Sequence, residues 1–190
     1  MDFGQEAKQE KTLKKAMKEK NNKPKVSKSG KKSTSGFLFA ARIGDVNKLR
    51  ELLDDGANIE RKNNRGLTAL YLATRGGHLE CAKLLLDRGA DVNATSKNGN
   101  SAIILASTCD ILKLLLDHGA DVDMKDREGF TPLINASLRD CSTCVALLLE
   151  RGADPNLPGA FGKTASDYFV SEEIRKMLDA AANQRAYVLK

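Results

Sequence analysis

The chain repeats one segment, Leu84-Leu85-Leu86-Asp87-Arg88-Gly89-Ala90-Asp91-Val92-Asn93. Close copies begin at Leu114 and Leu147, and a looser copy begins at Glu51. The glycines of these copies, at positions 56, 89, 119 and 152, are spaced by 33, 30 and 33 residues. A regular period in this range is typical of proteins that stack supersecondary units side by side, and it is the strongest signal in the sequence.

Each copy predicts a helix that ends at its glycine. The leucine run supplies an apolar stripe, and a glycine after a charged residue suits the left-handed conformation that closes a helix. Upstream, Thr68, Thr131 and Thr164 each predict the start of a preceding helix, since a threonine side chain can cap free backbone amides there. Helices this short are marginal alone in water, so each unit has to bury its leucines against its neighbours.

Several motifs connect this repeat with a known family. The sequence contains Gly-x-Thr-Pro-Leu at 129–133, Gly-His-Leu-Glu at 77–80 and repeated Gly-Ala-Asp-x-Asn ends. Together with the period, they resemble the ankyrin repeat over residues 36–182. The resemblance implies an all-α solenoid of stacked helix-turn-helix units with projecting β-hairpin-like turns, and a non-catalytic protein that binds partner proteins on its concave face. The units would be residues 36–62, 63–95, 96–125, 126–158 and 159–182, followed by a frayed C-terminus at 183–190.

Two departures from the family pattern carry structural expectations. Ankyrin repeats usually place a histidine after Thr-Pro-Leu, where it links neighbouring repeats by hydrogen bonds, but this sequence has Tyr71, Ile104 or Ile134 there. We expect that network to be absent or altered. The third unit also lacks the Thr-Pro start and has lost three residues between its helices relative to the second unit. We predict that this third unit is the weakest part of the stack.

The first 35 residues differ in composition from the rest of the chain. They contain eleven lysines against four acidic residues, a net charge of +7, whereas the whole chain carries +6. Because the segment also contains Pro24, Gly30 and several serines, we expect it to be disordered. Three roles stay open: a solubilising extension, nuclear import or nucleic-acid contact, and electrostatic attachment to acidic lipids. The lysines that would carry such contacts are Lys23, Lys25, Lys28, Lys31 and Lys32.

Composition also bears on the compartment. The chain has 190 residues, 41% of them hydrophobic. No apolar run approaches the roughly 18 residues that span a bilayer. Residues 1–20 are charged throughout and predict no secretory signal. We therefore expect an intracellular protein, cytoplasmic or nuclear. Separately, we expect the protein to be a monomer.

The cysteines and histidines do not predict a catalytic or metal site. In an intracellular protein the four cysteines should be reduced. Cys141 and Cys144 have Cys-x-x-Cys spacing, but no second pair lies at a distance suited to zinc, so we interpret them as small residues that fill or flank the second helix. His78 and His118 have no spaced partner that would make a nucleophile and a base. We expect no cofactor, no metal and no enzymatic activity.

The family resemblance implies that the turn tips and the exposed side of each first helix face the binding groove. The residues transferred to this surface are Arg65, Leu67, Arg75, Lys97, Asn100, Arg127, Phe130, Leu138, Arg139 and Phe161. Arginine and aromatic side chains are common anchors of interfaces, so a partner protein should present acidic residues around apolar anchors. The alternative is that the basic segment binds nucleic acid or an anionic membrane while the repeats serve as a scaffold. An inhibitor that covers an enzyme surface is a third hypothesis.

Overall fold

The computed structural model describes residues 33–168 and 170–188. These ranges contain eight α-helices and no β-strand, which confirms the predicted all-α class. The helices are α1 (Ser33–Ile43), α2 (Val46–Asp54), α3 (Ala69–Arg75), α4 (Leu79–Asp87), α5 (Cys109–Asp117), α6 (Pro132–Leu138), α7 (Ser142–Glu150) and α8 (Glu172–Val188). None of the described helices is long and apolar enough to cross a membrane. Apart from its last three residues, the basic segment at 1–35 lies outside the described ranges, so its disorder stays a prediction.

The first helix of a regular unit begins at the predicted threonine. The Thr68 hydroxyl accepts a hydrogen bond from Tyr71 N at 3.2 Å, and Thr131 caps α6 in the same way through Ile134 N at 3.1 Å. Pro132 follows Thr131 at the first helical position, where no amide hydrogen is needed. Both threonines are therefore confirmed as helix starts.

The second helix of a unit ends at the glycine of the repeated segment. After α4, Gly89 adopts φ 84°, its amide donates to Leu86 O at 2.9 Å, and Ala90 N donates to Leu85 O at 3.0 Å. These two bonds satisfy carbonyl groups that the last helical turn leaves free. The segments after α5 and α7 close in the same way, so the predicted helix ends are confirmed.

The helices pack in two layers around one hydrophobic core. α1 and α3 are neighbours in the layer of first helices, whereas α2, α4, α5, α7 and α8 follow one another in the layer of second helices. Every second helix buries an aliphatic side chain completely: Leu49, Leu85, Leu115, Leu148 and Ile174. Because burial of apolar surface contributes about 25 cal/mol per Å², stacking stabilises units that would not fold alone.

The third unit differs from the helix–loop–helix arrangement that the repeat predicts, because it lacks its first helix. Residues 102–105 form turns instead. Ile103 and Ile104 nevertheless enter the core, with 1% and 2% of their surface exposed. The physical reason is the loss of three residues, since the shortened connection to α5 leaves no room for a seven-residue helix like α3 or α6.

Hydrogen bonds between neighbouring units differ from the histidine network that the ankyrin resemblance implies. Buried side chains stand at the positions of that histidine: Tyr71, Ile104 and Ile134. In their place, carbonyl groups at the end of one first helix accept side-chain donors from the next unit. His78 Nε2 donates to Arg42 O at 3.0 Å, and Ser107 Oγ donates to Thr74 O at 2.9 Å. The expectation of an altered network is confirmed.

Two of the four cysteines are bonded to each other. Cys109, in the first turn of α5, and Cys144, in the first turn of α7, form a disulfide with Cα atoms 5.4 Å apart, while Cys81 and Cys141 are free. The prediction that all four are reduced is therefore wrong for this pair. The reason is tertiary, since the stacking of α5 on α7 brings together residues that are 35 positions apart in the sequence.

The C-terminal helix continues past the predicted end of the folded part. α8 runs to Val188, and Arg185 donates to Gly152 O at 2.9 Å and pairs with Asp154 at 2.8 Å. These contacts connect the last turns of α8 to the preceding unit. Residues 183–188 are therefore helical, whereas the sequence predicted fraying there.

Candidate partner-binding surface

Tight turns at the start of successive units lie against one another. In the second unit, Asn63 N donates to Leu67 O at 3.1 Å, and the next turn is so close that Lys97 N donates to Arg65 O at 3.1 Å. Gly66 adopts φ 78°, and a Cβ atom on it would lie 2.7 Å from Lys97 N, so only glycine permits this approach. Similar close contacts join the following turns. The tips therefore form a row, which we call the turn row (residues 63–67, 96–100, 126–130 and 159–163).

Cationic side chains of the turn row project into solvent. Arg65, Lys97 and Arg127 are exposed. Within the described ranges, 33–168 and 170–188, none of the three forms an ion pair. By contrast, Arg88, which directly follows the second helix α4, pairs with Asp54 at 2.8 Å. The positive charge of these three residues is therefore not neutralised by an ion pair within the described ranges, whereas Arg88, Arg151 and Arg185 are paired with carboxylates of neighbouring units.

Three of the predicted contact residues are less accessible than the others. Leu67 is only 8% exposed, so it cannot act as an exposed anchor, and the expectation for this residue is wrong. It joins the turn directly to the capped start of α3, and its side chain enters the interior. Asn100 and Phe130 are half-buried, and the Phe130 ring centroid lies 6.2 Å from that of Tyr168. Phe130 therefore packs against the last unit as well as bordering solvent.

Phe161 is the most exposed large apolar side chain in the described part of the chain, at 96%. Its backbone adopts φ 58° and ψ 23°, and Gly162 follows with φ 71°. The two residues form a type I′ turn in which Lys163 N donates to Ala160 O at 3.2 Å. Asparagine or glycine usually occupies such positions, because the left-handed region is unfavourable for a bulky side chain. Phe161 is thus both exposed and strained.

The first helices contribute a second set of predicted residues. Arg75 of α3 is exposed, and Leu138 of α6 is 44% exposed. Arg139 follows α6, but its guanidinium group donates to Ala106 O at 2.6 Å and to Ser107 O at 2.7 Å. Arg139 therefore holds the helix-free segment of the third unit, and its charge is engaged within the chain.

An apolar patch on α1 was missed by the sequence reasoning. Phe39 and Ile43 are each 50% exposed, and the Arg42 guanidinium carbon lies 5.1 Å from the Phe39 ring centroid, a cation–π contact. Phe37, two residues earlier, is 1% exposed. The available signal was the run from 37 to 39, because a surface helix cannot point three consecutive apolar side chains inward.

Both histidines make contacts that support the stack. His118 Nδ1 lies 2.9 Å from Leu114 O, one turn earlier in α5, and its Nε2 lies 3.8 Å from the Asp87 carboxylate of the preceding unit. His78 bonds to the end of α1 through Arg42 O, as described above. Both imidazole groups therefore take part in contacts within the stack.

Comparison with known protein families supports the repeat assignment. A family model described as "Ankyrin repeats (3 copies)" matches residues 5–96 and 90–158. The matched ranges cover most of the chain and include the first three turns of the turn row. A comparison with curated proteins found no match.

Proposed function

Because this chain belongs to the ankyrin repeat family, whose repeats are generally protein–protein interaction modules, we propose that it is a non-catalytic adaptor that binds a partner protein. The binding surface would combine the turn row with the exposed side of the first helices. Arg65, Lys97 and Arg127 supply unpaired positive charge within the described ranges, while Leu138 and Phe161 supply apolar anchors.

The exposure of Phe161 is the observation that carries this proposal. A side chain that is 96% exposed gains little from folding, and its positive φ costs on the order of 1–3 kcal/mol. Residues held in such sparsely populated conformations concentrate at ligand contacts and switch regions. A partner pocket that buries the ring would contribute about 1.5–3 kcal/mol of apolar stabilisation to the complex.

The charges of the surface define the kind of partner. Three exposed cations next to apolar side chains favour a protein that presents carboxylates around one or two apolar anchors. Glu128, which is also exposed in the turn row, interrupts the positive charge and would disfavour a uniformly acidic ligand. Arg139 is omitted from the anchors because its guanidinium group is already bonded to the third unit.

Charge reversal of the turn row tests the proposal. Full-length protein is used to capture partners from lysate, and affinity is then measured for one purified partner. The variant Arg65→Glu/Lys97→Glu/Arg127→Glu should bind at least about tenfold more weakly, a change of about 1.4 kcal/mol. The matched control reverses three exposed charges on the second helices, Arg50→Glu/Lys83→Glu/Lys113→Glu, and should bind normally. Equal weakening in both variants would reject the turn row as the interface.

A glycine at position 161 separates binding from folding. Phe161→Gly should relieve the backbone strain and leave the fold intact or more stable, while it removes the apolar anchor and weakens capture. Unchanged affinity in this variant would contradict the assignment of Phe161 to the interface. Thermal unfolding of the same preparation supplies the stability measurement.

The alternative function assigns binding to residues 1–35, whose net charge of +7 favours anionic nucleic acid or membrane. Binding that depends on these lysines should weaken steeply as salt concentration rises, whereas apolar anchors should keep affinity. Capture is therefore repeated with a truncated protein that contains only residues 36–190. If this protein retains the captured partner proteins, the adaptor function is supported. If it captures nothing, and the material lost is nucleic acid or lipid, the alternative is supported.

A further inference from the structure

Three cysteine sulfur atoms gather where the third and fourth units meet. The Sγ atoms of Cys109, Cys141 and Cys144 all lie within 4.8 Å of one another. Cys109 and Cys144 form the disulfide, and Cys141 Sγ lies 3.6 Å from Cys109 Sγ. The sequence pattern showed only the Cys141–Cys144 pair, and the stacking of α5 on α7 supplies the third sulfur.

We propose that this cluster, when its disulfide is reduced, binds one thiophilic cation such as Zn²⁺ or Cu⁺. Three thiolates that converge on one point form the ligand set that soft and borderline cations prefer. Zinc–sulfur distances of about 2.3 Å place neighbouring thiolates less than about 4 Å apart in a tetrahedral site. The Cys109 and Cys141 sulfur atoms already lie 3.6 Å apart, and the bonded Cys109–Cys144 pair would separate once it is reduced. With three protein ligands, a zinc ion would keep its fourth position for water or an added ligand.

The fold offsets the negative charge that three thiolates would bring together. Cys109 is the first residue of α5, and Cys141 directly precedes α7 at its N-cap position, so the positive ends of two nine-residue helices meet at the cluster. The Arg139 side chain lines the same recess as Cys141 and Cys144. Its guanidinium group, which donates to Ala106 O and Ser107 O, adds a positive charge to the lining of this recess.

The surroundings of the cluster allow both entry and orientation of ligands. Cys109 and Cys141 are half-buried, whereas Cys144 is 5% exposed, so a cation would reach the site from the side of the first two sulfurs. The Thr143 hydroxyl lies 3.3 Å from Cys109 Sγ and 3.4 Å from Cys141 Sγ. A hydroxyl at this distance can donate to a bound thiolate, as groups around metal ligands commonly do.

Cation binding and the disulfide exclude each other, which makes the site sensitive to redox conditions. A dithiol reductant transfers two electrons and two protons to the Cys109–Cys144 bond, giving two thiols and a cyclic disulfide on the reductant. Binding of the cation then releases three protons, one from each thiol, as three sulfur–metal bonds form. The oxidised protein keeps only Cys141 as a free thiol in the cluster.

Cys81 offers a matched control within the same chain. It is a free cysteine in α4, is 1% exposed, and is not part of the cluster. Burial raises the pKa of the Cys81 thiol, with smaller contributions from Asp45 and Glu80, so this thiol is a poor competitor for a cation. Loss of Cys81 should leave cation binding unchanged.

The test titrates full-length protein, reduced with a phosphine under anaerobic conditions, with Zn²⁺ or Cu⁺ in competition with a chromophoric chelator. We expect one ion per chain for at least one of the two cations, and none for the oxidised protein. The variant Cys141→Ser keeps both cysteines of the disulfide, Cys109 and Cys144. After reduction it should bind the cation more weakly than the wild type by more than roughly 10–100-fold, the loss typical of removing a group that only orients a metal ligand.

Several outcomes would overturn the proposal. These are the absence of stoichiometric binding of both cations, equal binding by oxidised and reduced protein, and a Cys141→Ser variant that binds as well as the wild type. Cys81→Ser that weakens binding as much as Cys141→Ser would also reject the cluster as the site. Circular dichroism of each variant before titration shows that the comparison is made between folded proteins.

Discussion

The second unit (residues 63–95) and the third unit (residues 96–125) bury the same positions in different secondary structures. In the second, helix α3 carries Leu70 into the core at 2% exposure. In the third, Ile103 stands two residues after Ser101, as Leu70 does after Thr68, and reaches 1% exposure without a helix. The comparison teaches that the place of an apolar side chain within the repeat decides its burial, whether or not a helix presents it.

The third unit obtains from its neighbour the bonds that a helix would have supplied. Carbonyl groups inside a fold need partners, and in a helix the following turn provides them. Here Arg139 of the fourth unit donates to Ala106 O and Ser107 O. The Cys109–Cys144 disulfide joins the same two units covalently. A local deficit in secondary structure is thus offset by tertiary contacts.

The largest expected effect tests whether the two units share one core. Ile103→Ala and Leu70→Ala should each lower the free energy of unfolding by about 2–5 kcal/mol, because each removes a fully buried aliphatic side chain. Urea denaturation of both variants measures the loss, with Lys113→Ala on the exposed side of α5 as the control. If Ile103→Ala cost no more than the roughly 0.5 kcal/mol of a surface substitution, the third unit would not be part of the core.

Removal of the Arg139 bonds should produce the next largest effect. Arg139→Met keeps the apolar stem but leaves two carbonyl groups of the third unit without their charged donor. We expect a loss of about 1–2 kcal/mol in stability, somewhat below the usual worth of such bonds because the side chain is partly in water. Arg75→Met is the matched control, since Arg75 is exposed and makes no side-chain hydrogen bond within the described ranges. Equal losses of stability in the two variants would show that the Arg139 hydrogen bonds do not support the third unit.

Amide hydrogen exchange compares the two units directly. Few backbone hydrogen bonds protect the amides of residues 102–105. The exchange rate of these amides should therefore be at least about tenfold higher than that of the amides in α3. Mass spectrometry of peptides covering 101–116 and 68–86 measures the difference. Equal protection of the two peptides would contradict the prediction that the third unit is the weakest part of the stack.

The smallest expected effect on stability concerns equivalent positions in two units, which are Thr68 in the second unit and Ser101 in the third. Thr68→Ala removes the cap of α3 and should cost about 1 kcal/mol, whereas Thr68→Ser keeps the hydroxyl and should cost less. Ser101 Oγ is buried and has no hydrogen-bond partner among the described residues. Ser101→Ala should therefore leave stability unchanged or raise it by up to about 1 kcal/mol. A cost equal to that of Thr68→Ala would show that Ser101 also supports its unit.

Much of the fold was predictable because its signals are local. The capping threonines at 68 and 131 and the closing glycine at 89 act on amides and carbonyls a few residues away. The candidate surface was less predictable, since a turn-tip position does not specify exposure. Leu67 proved to be buried, while Phe161 at 96% exposure was foreseen as a contact but not as a strained residue.

The order of the amino acids alone is enough to specify the repeat, the glycine-closed ends of the second helices α4, α5 and α7, the all-α class and the charged N-terminal segment. Periodicity, capping and charge are properties of neighbouring residues, and stacked repeats meet mainly their sequence neighbours. Only the tertiary structure decided that Cys109 meets Cys141 and Cys144, and that Arg139 completes the third unit. These contacts join residues more than 30 positions apart, and their distances depend on how a shortened unit packs against the next one.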